Sequence, residues 1–366
     1  MIQLARKDTP GHGIKVPSMV QSSELSTLGV SNMNSNVFGI DIAKQVFQIH
    51  WVDQETGEIH SDKVKRKDFV QYFANQQPSM IGMEACGGAH HWGRLFKEMG
   101  HTVKLLPAKK VKPFVYGGNK NDVVDARAIW TAMQQPGMKF IAVKTEEQQA
   151  ILSIHRMREL LVKHRTAQIN SIRGLLTEFG LVMPKGKQAF KERLPDCLAK
   201  LEEDTPSAFM CALQVQVERL TQLDEDIKQL EKQIQSWFKH NEDCQRIAKI
   251  PGIGPLTATA LIASMGDASA FKSSREFAAW IGMVPRQTGT GGRVQLHGIS
   301  KRGDVYLRTL LIHGARSAMT HCKEKNGWLE SLQTRRPKNV VTVALANKIA
   351  RTVWALVANQ TQYQPC

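Results

Sequence analysis

From residue 36 onward, apolar positions recur in runs short enough for strands. "NVFGIDIA" and "QVFQIHWVD" are rich in β-branched and aromatic residues, and "QETGE" makes a turn before a third run, "IHSDKVK". Three antiparallel strands are predicted. A polar helix ("DFVQYFANQ"), an apolar strand ("SMIGMEA"), a helix around "HHWGRLFKEMG" and the strand "TVKLL", stopped by Pro107, come next. A helix holding Asp122 and Asp125 and a last strand, "KFIAV", complete the unit. Antiparallel strands followed by strands alternating with helices is the order of a ribonuclease-H-like α/β fold, here over residues 36–144.

Residues 145–240 read as wholly helical. "ILSIHRMRELLVKHRTAQINSIRGLLTEFG" is long and basic, carrying Arg156, Arg158, Lys163, Arg165 and Arg173. Leu220, Leu223, Ile227, Leu230, Ile234 and Trp237 then recur at alternating spacings of three and four, an a/d heptad seam. Two readings stay open: a coiled coil joining two subunits, or a helical hairpin inside one. Residues 241–366 read as mainly helical with Gly-rich breaks, closing on "VTVALANKIARTVWALVANQ". Residues 1–35 mix Gly, Pro, Ser and Asn without periodicity and are expected to form a mobile leader.

Composition narrows the partner. The 366 residues carry a net charge of +16 and a pI near 9.6, which points to a polyanion, most commonly nucleic acid. No apolar run approaches the ~20 residues that span a bilayer, and the N-terminus lacks a secretory pattern. The six cysteines are scattered with no CxxC pair, so neither a zinc site nor a disulfide framework is expected. A cytoplasmic nucleic-acid-binding protein is the reading.

Four acids stand out in so basic a chain. Asp41 lies among Val37, Phe38, Ile40 and Ile42, where a charge is costly unless paired or bound to metal. Glu84 ends "SMIGME", with Gly87 and Gly88 after it leaving room for a ligand. Asp122 and Asp125 fall on one helix face, behind Asn121 as N-cap. Singly, each has a plain structural explanation: a salt bridge to Lys44, a solvated strand end, and first-turn acids worth roughly 0.3–1 kcal/mol each. In a ribonuclease-H-like sheet, however, they converge, and hard oxygen ligands suit Mg²⁺ or Mn²⁺.

Two further segments carry chemistry. "IPGIGPLTATALIA" has Gly252 and Gly254 before a helix start, the helix-hairpin-helix pattern whose backbone N–H groups hold a phosphate; the alternative is an ordinary bundle turn. "VPRQTGTGGRVQLHGISKRGDVYLR" places Gly289, Gly291 and Gly292 around Thr290, predicting a flexible loop, with Arg286, Arg293, His297, Lys301, Arg302 and Arg308 close in sequence. It is either a phosphate-binding loop or the seat of a nucleophilic hydroxyl.

With these segments in order, the chain resembles the DEDD-type insertion-sequence transposases of the IS110 and IS1111 kind, a group that includes the Piv DNA invertases. "GIDIAKQVFQIH", "MEACGGAHHW", "NKNDVVDARAIW", "IPGIGPLTA" and "GISKRGDVYLRTLLIHGAR" carry the likeness, which covers nearly everything after the leader. The resemblance implies a RuvC-like domain with a metal-binding Asp41–Glu84–Asp122–Asp125 set, a coiled-coil middle, and a C-terminal transposase domain with a nucleophilic hydroxyl. It also implies a bacterial, nucleoid-associated setting, donor and target DNA as substrates, and a structured non-coding guide RNA (the bridge RNA). The assembly would be a homo-oligomer, a dimer or a synaptic tetramer with composite sites. The family's serine position falls here on Thr290, with Thr288 nearby and Ser300 further along. Gly252, Gly254, Arg286, Arg293, Lys301 and Arg302 are the expected DNA contacts. Two rivals remain: a RuvC-like nuclease that hydrolyses branched DNA with water, and a non-catalytic nucleic-acid-binding protein.

Overall fold

A computed structural model describes residues 36–116, 121–202, 205–321 and 327–364; the predicted leader lies outside them. The N-terminal sheet is built from β1 (Val37–Asp41), β2 (Val46–Val52), β3 (Ile59–Lys65), β4 (Met80–Glu84) and β5 (Thr102–Leu106), in the order β3-β2-β1-β4-β5. β1 and β3 flank β2 antiparallel, while β4 runs parallel to both β1 and β5. This mixed sheet is compatible with the ribonuclease-H-like reading. "KFIAV" contributes one antiparallel bridge, Ile141 to Leu105, rather than a strand. Its neighbours are engaged elsewhere: Lys139 pairs with Glu276 and Phe140 lies under the Lys104 ammonium.

Alternation along the strands sorts the two faces of the sheet. Phe38, Ile40, Phe47, Ile49, Ile81 and Met83 point to one side. There they are covered by Phe69 and Phe73 of α1 (Phe69–Ala74) and by Trp92 and Phe96 of α2 (Ala89–Glu98). After the short α3 (Ala108–Val111), α4 (Asp122–Met133) covers the other face through Ala128, Ile129, Ala132 and Met133.

The middle is helical as predicted: α5 (Glu146–Glu178), α6 (Lys187–Glu202) and α7 (Ser207–His240). A capping box between Thr145 and Gln148 starts α5, satisfying two of its free ends. α5 and α7 run antiparallel, with Ile151 clustered with Ile234 and Arg158, Arg165 and Gln168 bonded to Glu231, Asp224 and Gln216. Every seventh residue of α7 (Leu213, Leu220, Ile227, Ile234) is buried, so the heptad seam is occupied by α5 of the same chain. That facing helix also corrects the basic face. Arg158 and Arg165 are drawn to α7 acids, and Arg173 donates to the Pro184 and Gly186 carbonyls at 2.8 Å, so three of the five cations serve protein partners.

The C-terminal body comprises α8 (Glu242–Ile247), α9 (Pro255–Met265), α10 (Ser274–Ile281), β6 (Pro285–Thr290), β7 (Arg293–Ile299), α11 (Val305–His321), α12 (Gly327–Arg335) and α13 (Lys338–Ala358). Among the described residues, α13 alone is long and apolar enough to cross a membrane, which the sequence reading had not expected. Here Val341, Ala346, Ile349, Ala350 and Val353 of α13 are buried in the core. The expected loop around Thr290 is a β-hairpin, β6 antiparallel to β7. Gly291 and Gly292, both at positive φ (55° and 80°), form the two-residue turn whose twist matches such a hairpin.

Candidate active site

Two glycines that the sequence reading passed over build the acidic site. Gly39 and Gly82 stand two residues before Asp41 and Glu84 on neighbouring strands, on the face that α4 covers. A Cβ on Gly39 would lie 2.5 Å from the Ala126 carbonyl oxygen and from the Trp130 nitrogen, and one on Gly82 would lie 1.7 Å from the Met133 sulfur. Their bare backbones let α4 settle directly on the sheet. The sequence carried a signal for this, the repeated Gly-x-acid of "GID" and "GME".

The register that pairs Ile40 with Met83 sets Asp41 and Glu84 level on adjacent strands. Asn121 caps α4, its side chain accepting from the Val123 N–H at 3.1 Å, and so presents the first turn of the helix to the strand ends. Asp41, Asp122 and Asp125 each bring a carboxylate oxygen within 4.8 Å of the others. Glu84 stands just outside this trio, yet burial and then the charge of Asp125 push its carboxyl above the usual range. Burial, followed by the charges of Glu84 and Asp41, pushes the Cys86 thiol up as well. Facing Asp41 across β2 is Gln48, buried, whose Oε1 has no hydrogen-bond partner among the described residues. Like charges gathered this closely repel unless a cation joins them, and the all-oxygen donor set fits a hard divalent ion.

The second segment lies on the C-terminal body. Side chains of Thr288, Thr290, Arg293, Gln295 and His297 share one face of the hairpin, as the pairings Thr288–Gln295 and Thr290–Arg293 require. Thr288 Oγ1 and His297 Nε2 are 2.7 Å apart. Val294 and Leu296 occupy the opposite face, 60% and 66% exposed. Arg286, Arg293, Lys301 and Arg302 are all exposed, whereas Arg308 is buried and donates to the Ile281 carbonyl at 2.9 Å. Arg308 therefore pins the turn after β7 and does not face solvent.

The turn before α9 is divided in the same way. Gly254 is exposed, but a Cβ on Gly252 would lie 2.3 Å from the Gly314 carbonyl oxygen on α11. Gly252 is there for a close backbone crossing at a φ of 90° that favours glycine. Among the described residues, no hydrogen bond or ion pair links β6 or β7 to Glu84, Asp122 or Asp125.

Comparison with known proteins agrees with this layout. A family model described as "Transposase", for the DEDD transposases of IS110, matches residues 38–180, and one described as "Transposase IS116/IS110/IS902 family" matches residues 244–328. The chain is 46% identical over 338 residues to a probable family 20 transposase of Pseudomonas aeruginosa, covering 91% of this chain and 100% of that protein. It is 45% identical over 332 residues to the transposase for insertion sequence element IS1111A of Coxiella burnetii, covering 90% and 91%. A shorter match, 36% over 84 residues (23% and 24%), is to the pilin gene-inverting protein of Moraxella bovis. Two family models in sequence order and relatives alike over nine-tenths of the chain place it plainly: it belongs to the IS110/IS1111-type insertion-sequence transposases.

Proposed function

We propose that this transposase is a divalent-metal-dependent recombinase that cleaves and rejoins DNA through a covalent protein–DNA link. The observation that carries the reading is the convergence of Asp41, Asp122 and Asp125 within 4.8 Å, with Glu84 beside them on the next strand. These four acids would hold Mg²⁺ or Mn²⁺, which when bound there neutralises charge developing on the oxygens around phosphorus. The attacking group is a threonine hydroxyl of β6, where Thr288 and Thr290 share a face. Exposed Arg286, Arg293, Lys301 and Arg302, with the Gly252–Gly254 turn, contact DNA phosphates. They position the strands without reading sequence.

Sequence choice then falls to a structured non-coding RNA pairing with donor and target DNA, a reading supported by the family resemblance and the +16 charge. The lack of any bond between hairpin and acids within one chain supports a homo-oligomer, dimeric or tetrameric in the synapse, whose sites combine the two from different subunits. No high-energy cofactor is needed, because the phosphoester is exchanged rather than lost.

The test is covalent trapping. Protein, RNA transcribed from its own insertion sequence, and labelled DNA carrying the element's ends are mixed with Mg²⁺ or with EDTA. A denaturation-resistant adduct that requires the ion and disappears in Asp41→Ala supports the reading. Cleavage with free ends and no adduct would establish the hydrolytic nuclease instead, and DNA binding without cleavage the non-catalytic protein.

A further inference from the structure

The geometry points to Thr288, rather than Thr290, as the attacking hydroxyl, with His297 as the group that takes its proton. This inference rests on the recombinase reading above and names the residues that carry its covalent step. A hydroxyl is a weak nucleophile until a base within hydrogen-bond reach accepts its proton. On this hairpin only Thr288 has one, His297 Nε2 at 2.7 Å. Thr290 sits beside the Gly291–Gly292 turn opposite Arg293, and its hydroxyl has no hydrogen-bond partner among the described residues. The Ser300 hydroxyl only accepts, from the Arg302 N–H at 3.4 Å.

The strand is shaped to make this pair. Pro285 is level with Ile299 and Gln287 with Leu296, so β7 carries one more residue than β6 over that interval. Such a bulge re-aims side chains, and His297 and Gly298 lie inside it. His297 also lines a groove of about 1140 Å³ between β7 and α13. Lys301, Lys348 and Arg351 line the groove with no carboxylate among the residues around it, and the Lys348 ammonium lies 4.7 Å from the Trp328 ring centre. A cationic channel with one aromatic wall suits a DNA strand, its phosphates on the cations and a base on the ring.

In the step itself, Thr288 Oγ1 bonds to phosphorus as the bond from phosphorus to a sugar oxygen breaks. The threonine proton moves to His297 Nε2, and the released sugar oxygen is protonated to a free hydroxyl. Attack by a sugar hydroxyl of the other strand reverses the step, returns the proton to Thr288 and leaves the number of phosphoester bonds unchanged. No oxidant or reductant enters.

Trypsin releases both threonines on one peptide, Gln287–Arg293, so the adduct trapped with wild-type protein and Mg²⁺ is digested, trimmed of DNA and fragmented by mass spectrometry. The expected result is a nucleotide on Thr288. Thr288→Ser keeps the adduct and Thr288→Ala loses it. His297→Gln, whose melting temperature and DNA affinity are measured alongside, forms it about 100-fold more slowly in single turnover. A nucleotide on Thr290, or a His297→Gln rate within about threefold of wild type, overturns this assignment and leaves the recombinase reading standing. Absence of any adduct in wild type sinks the recombinase reading itself.

Discussion

Gly39→Ala isolates the part of the fold that builds the acidic site. The new methyl carbon would sit 2.5 Å from the Ala126 oxygen and the Trp130 nitrogen and 2.6 Å from Trp130 Cβ, none of them the end of a flexible side chain. Ordinary contact begins at 3.4 Å, so α4 must back away by ~0.9 Å at that point, carrying Asp122 and Asp125 with it. Overpacking of this kind costs about 1–3 kcal/mol, which a thermal or urea melt reads directly. The functional loss should exceed the stability loss. A displacement of ~1 Å in a positioned site costs on the order of 100-fold in rate, and a ligand set opened on one side holds its ion more weakly. Mn²⁺ affinity, followed by electron paramagnetic resonance on folded protein, and the rate of DNA cleavage are the assays. Gly87→Ala is the control, because nothing lies within 4 Å of a Cβ there. If Gly39→Ala binds Mn²⁺ and cleaves DNA like wild type, the acids are not seated by the approach of α4 to the sheet, and the argument fails.

Three other perturbations have signed outcomes. Burial alone would raise the Asp224 carboxyl, but hydrogen bonds from Lys191 and Arg165 and the charges of Lys191 and Lys187 outweigh it and hold the group at about 2. Its folded value lies below the unfolded 3.8, so ~2 kcal/mol of stability is present above pH ~4 and is lost as pH falls toward 2; urea melts at neutral pH should show Asp224→Asn weaker by about that amount. His155, buried and bonded to Thr259 and Tyr306 at 2.9 and 3.0 Å, is held at about 4, first by burial and then by the Arg158 charge. The unfolded chain therefore takes up the proton first, and stability should fall by ~3 kcal/mol between pH ~6.5 and 4, a slope that His155→Gln flattens in the same melts. Arg302→Ala should lower the salt dependence of DNA binding by ~0.9 in log–log slope. Arg308→Ala should instead lower the melting temperature, by leaving the Ile281 carbonyl unpaired at a cost of ~1–3 kcal/mol.

How far the sequence spoke depended on whether a feature was local. β3 and β5 coincide with "IHSDKVK" and "TVKLL", and the Asn121 cap of α4 is where its side chain implied, because strand alternation and capping are settled by neighbours in the chain. The four acids were legible as a set, but what brings them together was not. Gly39 and Gly82 matter through contact with a helix some 45 to 90 residues later in the chain, and within their own strands they look like weak points. The hairpin failed differently: three glycines in five residues read as looseness, yet two of them supply the positive φ that a tight turn needs. The Arg308 side chain had no local signal of burial, since its carbonyl partners come from the end of α10 and the turn after β7.

The two halves of the proposed chemistry differ in how they are held. The acids stand on a sheet closed by a helix pressed against bare glycine backbone, so they cannot relax apart. Their mutual repulsion, visible in the raised Glu84, is then relieved chiefly by a cation, and affinity for it is built in before DNA arrives. The Thr288 hydroxyl stands on a two-stranded hairpin whose apolar face, Val294 and Leu296, is largely exposed. A hairpin with so little packing is marginally ordered by itself in water. Its hydroxyl gains fixed geometry only when substrate and partner subunits close around it. Cation binding should therefore proceed in the free protein, whereas the covalent step waits for assembly. That order keeps a charged metal site from cutting DNA before the strand that must be rejoined is in place.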